Sequence, residues 1–289
     1  MELRRYDSAT ALLEDVGEYL AAREAEHNLQ LAILGTLRDQ PDVYKEPPYL
    51  AAVWDHEHVA LVASRTPPFD LVLSEPGVPD TVVPAALEML AADLAARDPG
   101  LPGVLGPPKL VVGLVERWTE RTGARAEQAF TERIFRLTEV RRPPMPPGHW
   151  RYATEADRGL LVRWAIDFHA EALDEQKPPR DVEETVDVWI RRHGRVAYLW
   201  EVDGRCVSLV VTGPPTPTGT RVGPVYTPPA DRGRGFASAL TAAASRDQLD
   251  AGRRCCFLFT DISNPTSNKI YQAIGYEPVA DVAHYRFIR

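Results

Sequence analysis

The chain has 289 residues, of which 44% are hydrophobic and 26% are charged, and its formal net charge is −8 at pH 7. This composition is typical of a globular protein with one large or two medium-sized domains. An acidic chain whose basic residues are dispersed has no general attraction for DNA, RNA or anionic lipid. We therefore expect neither a nucleic acid nor a membrane as a partner.

The cysteines and the N-terminal residues predict an ordinary intracellular protein. Cys206, Cys255 and Cys256 are too few and too irregularly spaced for a disulfide framework or a metal site. We interpret them as small buried hydrophobic residues in a reducing compartment, and we expect no metal. The first six residues lack the apolar core of a secretory signal, and no apolar run is long enough to cross a bilayer. The sequence predicts a soluble cytoplasmic protein.

An internal repeat runs through the chain. In each half, a strand-like start leads into a helix, a hairpin with a charged turn follows, and a strand-like segment is predicted to close the half. The similar segments are residues 5–9 and 151–155, residues 53–62 and 199–208, and residues 133–137 and 285–288. Two tandem copies of one α/β unit are the simplest account. We place the domains at residues 1–140 and 150–289, joined by a stiff Pro-rich linker at 141–149.

The two copies differ in the segment that follows the hairpin. In the first copy, residues 75–84 contain one glycine, no arginine and several prolines. Farther on, Gly106 and Pro107 are interpreted as a turn and a helix start. In the second copy, a helix containing His169 and Glu171 precedes a polar, Pro-containing stretch at 174–181. Because His169 and Glu171 are two positions apart, they point about 200° away from each other on a helix.

A strand, a turn and a helix start occupy residues 222–240. Pro228 and Pro229 end the strand, because neither has a backbone N–H to donate. Gly233 and Gly235 then precede an Ala- and Leu-rich helical pattern at 236–250, and glycines there let the backbone approach a ligand closely. The free N–H groups of the first helical turn and the helix dipole favour an anion. With positive charge from the adjacent Arg232 and Arg234, this stretch predicts a phosphate or pyrophosphate site.

The spacing of this loop fits neither a dinucleotide-binding fingerprint nor a P-loop. It does fit the pattern R-x-x-G-x-A, formed by Arg232, Gly235 and Ala237 directly after a strand and a proline. This pattern resembles the acyl-CoA pyrophosphate loop of the GNAT superfamily of N-acyltransferases.

A second segment at the expected distance downstream supports the resemblance. Residues 255–260 form a nearly all-apolar run that predicts a buried strand. Asn264 follows, then a short helix with Tyr271, and then Gly275 and Tyr276. This order resembles the GNAT segment N-x-x-x-x-x-x-Y-x-x-x-G-[FY].

The resemblance implies an α/β (α+β) fold of two tandem GNAT-like domains, each with a mixed, mostly antiparallel sheet flanked by helices. The first domain is expected to be degenerate, to pack against the second and to wall the acceptor cleft. The second domain is expected to transfer the acetyl group of acetyl-CoA directly to an amine, expected to belong to a small molecule. Residues implied in acetyl-CoA binding are Val225, Tyr226, Thr227, Arg232, Gly233, Arg234, Gly235, Phe236, Ala237, Ser238, Asn264 and Tyr271.

Two catalytic roles follow from the same resemblance. Tyr271 is implied to protonate the departing thiolate, a step that suits a phenol. The alternative for Tyr271 is a buried aromatic whose hydroxyl is bonded to backbone. Glu171 is our first choice as the base for the amine, ahead of Glu201 and His169. An alternative function is a non-catalytic acyl-CoA-binding sensor or scaffold.

Overall fold

The computed structural model describes residues 1–172 and 179–288. Contacts divide the chain into two compact units. The first unit comprises Met1–Ile134, Phe259–Asn264 and the chain from Pro278 onward. The second unit comprises Phe135–Leu258 and Pro265–Glu277.

Ten helices and strands make up the first half of the chain. They are β1 (Glu2–Arg5), α1 (Ala9–Ala22), α2 (Asn28–Asp39), β2 (Tyr49–Asp55), β3 (His58–Arg65), β4 (Leu71–Leu73), α3 (Val83–Arg97), β5 (Gly103–Gly106), α4 (Pro108–Thr122) and β6 (Arg125–Leu137). Their order is strand, two helices, three strands, helix, strand, helix, strand.

The same order recurs in the described part of the second half. Its elements are β7 (His149–Tyr152), α5 (Arg158–Ala172), α6 (Pro179–Arg191), β8 (Val196–Val202), β9 (Arg205–Pro215), β10 (Gly219–Tyr226), α7 (Phe236–Asp250), β11 (Cys255–Asp261), α8 (Pro265–Ile274) and β12 (Glu277–Ile288). The predicted repeat of one α/β unit is confirmed.

The first unit has its sheet between two pairs of helices. Strands β1 to β5 follow one another in the sheet, with β12 next to β5. All of these pairs are antiparallel except β4–β5, which is parallel. Ala52 packs with α1 and α2, whereas its neighbour Val53 packs with α3 and α4. Because side chains alternate along a strand, the two helix pairs cover opposite faces of the sheet.

The second unit repeats this arrangement with strand order β11-β10-β9-β8-β7. The β10–β11 pair is parallel, and β9 is antiparallel to both β8 and β10. Leu199 packs with α5 and α6, and Tyr198 packs with α7 and α8. In each unit, one helix connects the two strands of the parallel pair and a second helix follows the pair along the chain. Both helices pack on the same face of the unit's sheet.

The last strand corrects the predicted domain boundaries. β12 pairs antiparallel with β5, from Ala283 opposite Gly106 to Arg286 opposite Gly103, so it belongs to the first unit. The expectation that residues 285–288 close the second half was wrong, because their backbone hydrogen bonds go to the first unit's sheet. Contiguous domains at 1–140 and 150–289 therefore differ from the observed units. In the predicted linker at 141–149, residues 141–148 contain no helix or strand, and His149 begins β7.

Membrane insertion has no candidate helix in this fold. Across residues 1–172 and 179–288, none of the helices is both long and apolar enough to cross a bilayer.

Candidate functional site

The site of the second unit begins where two parallel strands part. β10 pairs with β11 over three residues only, Gly219–Arg221 against Cys255–Phe257. From Val222 to Tyr226, β10 continues with β9 on one side and, among the described residues, no strand partner on the other. The backbone groups on that open edge are therefore available to an extended ligand.

A loop at residues 227–235 connects this open edge to the N-terminus of α7. Gly233 and Gly235 have φ of +75° and +82°, which an L-residue adopts only at a cost of about 1–2 kcal/mol. A Cβ added at either glycine would meet no atom within 4 Å, so this side of the loop is open. Gly235 is the N-cap of α7, and no side chain caps this helix. The N–H groups of the first turn, residues 236–238, are left for an anion.

Phe236 and Arg234 tie the loop to the body of the second unit. Phe236 is 1% exposed and packs in the core beneath α7, and the Arg234 guanidinium lies 4.8 Å from the centre of its ring. Arg234 also donates to Asp231 at 3.3 Å. Its charge is therefore shared with a buried carboxylate.

Asp231 anchors the start of the loop to β9. It is 3% exposed and accepts two hydrogen bonds of 2.7 Å from the guanidinium of Arg205. These bonds, more than the nearby charge of Arg234, hold the pKa of Asp231 below its ordinary value. Asp231 therefore stays ionised and neutralises part of the positive charge around the loop.

Arg232 joins the loop to α5. Its Nε donates to the carbonyl of Thr227 at 2.9 Å, and its guanidinium pairs with the carboxylate of Glu171. The predicted base is therefore in direct contact with an arginine predicted to bind pyrophosphate. The same glutamate lies 3.4 Å from the hydroxyl of Tyr226, at the end of β10.

Tyr226 faces two carboxylates. Its hydroxyl is 3.5 Å from Asp167 and 3.4 Å from Glu171. The single phenol proton therefore has two carboxylate acceptors, and both hydrogen bonds are long. Burial raises the pKa of Tyr226 to about 12, and the charges of Glu171 and Asp167 add to that effect. The two carboxylates are one helical turn apart and form an acidic wall beside the strand end. Asp167 was missed in the sequence, although its spacing from Glu171 was a readable signal.

The other two base candidates lie in different surroundings. Glu201 accepts a 2.7 Å hydrogen bond from Arg151, which also holds Asp157 at 2.8 and 2.9 Å. This network supports β7 and β8 and leaves Glu201 in a structural ion pair. The ring of His169 packs edge-on against that of Phe168, at 5.8 Å. Of the predicted polar stretch at 174–181, residues 174–178 lie outside the described residues.

The side chain of Tyr271 is held by packing. Its ring meets that of Tyr276 edge-on at 6.0 Å. Within the described residues its hydroxyl has no hydrogen-bond partner, and its role as an acid or as a packing residue stays a prediction. Burial raises the pKa of Tyr271 to about 12. Asn264 is exposed just before α8, and its backbone N–H donates to the carbonyl of Asp261 at 3.0 Å.

Known proteins identify the fold. A family model of FR47-like proteins matches residues 205–287, and no curated protein matches the chain significantly in sequence. A solved Drosophila protein aligns with 99% of this chain and 98% of its own at TM-score 0.70 and 13% identity. A GCN5-related N-acetyltransferase from Sphaerobacter thermophilus aligns over 99% and 94% at TM-score 0.60 and 17% identity. A tandem GNAT protein from the clavulanic acid biosynthesis pathway aligns over 99% and 97% at TM-score 0.58 and 14% identity. The chain has the GNAT fold.

None of the three cysteines forms a disulfide within the described residues. Cys255 and Cys256 are buried in β11, and burial raises the pKa of Cys256 to about 12. Among residues 1–172 and 179–288, no group of three or more His, Cys, Asp or Glu side chains is placed to hold a metal ion.

Proposed function

We propose that the chain is an acetyl-CoA-dependent N-acetyltransferase whose second unit transfers an acetyl group directly to the amine of a small molecule. One observation carries the proposal: the open edge of β10 is followed, after the loop at residues 227–235, by the uncapped N-terminus of α7. An extended chain of amides that ends in phosphates needs this combination of a free strand edge and an anion site.

The donor contacts follow from this arrangement. We infer that the backbone of residues 225–227 bonds the amides of the pantetheine arm and that the N–H groups of residues 233–238 bond the pyrophosphate. Arg232 and Arg234 flank that site, and the Asn264 amide can both donate and accept. Acetyl-CoA supplies the activated acetyl thioester.

Tyr271 is proposed as the general acid. Its raised pKa keeps the phenol protonated at neutral pH, and its hydroxyl has no partner among the described residues. We infer that the phenol donates its proton to the leaving thiolate.

The acceptor side is proposed to lie at the acidic wall of Asp167 and Glu171. Two carboxylates beside the Tyr226 hydroxyl suit a cationic amine, which must lose a proton before it can attack. Glu171 is proposed to take that proton. The ion pair between Glu171 and Arg232 couples donor binding to proton removal. A pyrophosphate bound to Arg232 would compete with Glu171 for the same guanidinium.

A Glu171→Gln variant should lower kcat/KM for an amine by about 100-fold near pH 7, the low end of general-base effects. The loss should shrink at high pH, where the amine is already neutral. Steady-state rates from pH 6 to pH 10 measure both effects. Glu184→Gln is the control, since Glu184 is an exposed residue of α6 that pairs with Arg180. A loss that is equal at every pH would remove Glu171 from the base role.

The activity itself is tested by incubating the full chain with acetyl-CoA and a panel of primary amines. We expect one free thiol per acetylated amine. The alternative function, acyl-CoA binding without catalysis, is favoured by the Arg232–Glu171 ion pair, which occupies the proposed base. Binding by calorimetry with no transfer to any amine would support that alternative. Absence of binding would contradict both functions.

A further inference from the structure

A small polar cavity lies within the first unit. It has a volume of about 20 Å³, enough for one group the size of a water molecule. Its polar lining consists of Glu26, His27, Gln30 and Glu75.

The cavity lies where the parallel strands of the first unit part. β4 and β5 pair only at Leu71–Val104 and Val72–Leu105, and the cavity opens beside Leu73 and Gly106, where both strands end. By element order, this place corresponds to the parting of β10 and β11 in the second unit. Residues 75–84, which follow β4, have no arginine. The cavity of the first unit therefore has no counterpart of Arg232 and Arg234 in the segment after its strand, and its polar lining is different.

His27 forms a neutral wall of the cavity. The backbone N–H of Glu75 donates to its Nε2 at 3.0 Å, so Nδ1 carries the proton and donates to the Leu20 carbonyl at 2.9 Å. Burial lowers the pKa of His27, which is 2% exposed. Both ring nitrogens are used, and His27 brings no positive charge.

Gln30 presents an unpaired acceptor. Its Nε2 lies 3.2–3.3 Å from the Ser64 hydroxyl and the carbonyls of Val62 and Val72, which assigns the two ends of the amide. Its Oε1 is buried without a hydrogen-bond partner among the described residues, and the residue is 1% exposed. A buried acceptor in this state favours a ligand that donates a hydrogen bond.

The charge of the lining is negative. Glu26 and Glu75 are half-buried, and none of the lining residues is a lysine or an arginine. Burial raises the pKa of Glu75, an effect that nearby Arg23 opposes and Glu26 reinforces. Arg23 is exposed and donates to the Pro76 carbonyl at 3.3 Å, at the rim.

We propose that this cavity binds the ammonium head of a small primary amine, as a second site independent of the activity of the second unit. An alkylammonium head is close to a water molecule in size, is positively charged and has three N–H donors. One donor satisfies Oε1 of Gln30, and the others suit the carboxylates of Glu26 and Glu75. Among the four polar side chains of the lining, no hydrogen-bond donor is left for a ligand that can only accept.

The probe is methylammonium, titrated calorimetrically into the full chain at constant ionic strength, with methanol as the neutral control. We expect saturable binding of methylammonium and none of methanol. Glu75→Gln and Gln30→Leu should each weaken binding at least tenfold. Glu57→Gln, in the exposed β2–β3 turn, should stay within twofold.

If Gln30→Leu does not fold, a second variant of the cavity lining, Leu29→Trp, still tests the proposal. Leu29 lines the cavity and is half-buried, so Leu29→Trp should close it and abolish the same binding event. Amine binding to the second unit would appear as a separate event that persists in Glu75→Gln. The proposal is overturned if methylammonium does not saturate, or if its binding survives both Glu75→Gln and Leu29→Trp. The cavity would then hold water only.

Discussion

A Tyr271→Phe variant should bind acetyl-CoA as tightly as the wild type and lose about 1,000-fold in kcat, within the usual range of general acid–base effects. The expected loss corresponds to about 4 kcal/mol in the activation barrier. Binding is spared because the ring and its packing are kept. Calorimetry gives the affinity, and the rate of thiol release gives kcat.

The structure supplies a matched control for this variant. Tyr276 lies edge-on to Tyr271, but its hydroxyl is 2.8 Å from that of Ser245 and the residue is 2% exposed. Tyr276→Phe should therefore cost about 1 kcal/mol of stability and leave kcat unchanged. Tyr271→Phe should show the reverse, since its hydroxyl has no partner among the described residues to lose.

Two outcomes would count against the acid role of Tyr271. One is a Tyr271→Phe enzyme with unchanged kcat, which would return the residue to packing alone. The other is a Tyr271→Phe enzyme that loses as much affinity for acetyl-CoA as it loses kcat, which would make the hydroxyl a binding group. Because the pKa of Tyr271 is raised to about 12, its phenol keeps its proton up to pH 10 and causes no fall in the wild-type rate in that range.

The local elements around the site could be predicted from the sequence because strong breakers bound them. Pro228 and Pro229 cannot continue a strand, and Gly235 adopts the left-handed conformation that begins α7 at Phe236. Asn264 and Gly275 similarly bracket α8. Such signals are carried by one or two residues and need no knowledge of the rest of the chain.

Partners far apart in the sequence could not be predicted in this way. The alternation in β12 fits either unit's sheet, and only the hydrogen bonds of residues 283–286 to β5 decide between them. Likewise, nothing local indicates that Glu171 pairs with Arg232, 61 positions away. Asp167 is different, because its spacing from Glu171 on a helix was visible and was passed over.

A Gly235→Trp variant should weaken acetyl-CoA binding by at least about 100-fold, or about 2.7 kcal/mol. The indole would occupy the open side of the loop, where no atom lies within 4 Å of a Cβ, and would shield the N–H groups of residues 236–238. The same change also forces an L-residue to φ near +82°, which costs about 1–2 kcal/mol of stability. Affinity and stability must therefore be measured separately, by calorimetry and by chemical unfolding.

A Gly204→Trp variant is the control that separates the loss of affinity from the loss of stability. Gly204 lies in the β8–β9 turn of the same unit, has φ of +75° and, like Gly235, has no atom within 4 Å of an added Cβ. Gly204→Trp should lose the same stability and keep the wild-type affinity for acetyl-CoA. If Gly235→Trp binds as tightly as Gly204→Trp, the N-terminus of α7 is not the pyrophosphate site. The donor contacts proposed for the second unit would then fail, whereas amine binding in the first unit would stand or fall on its own measurement.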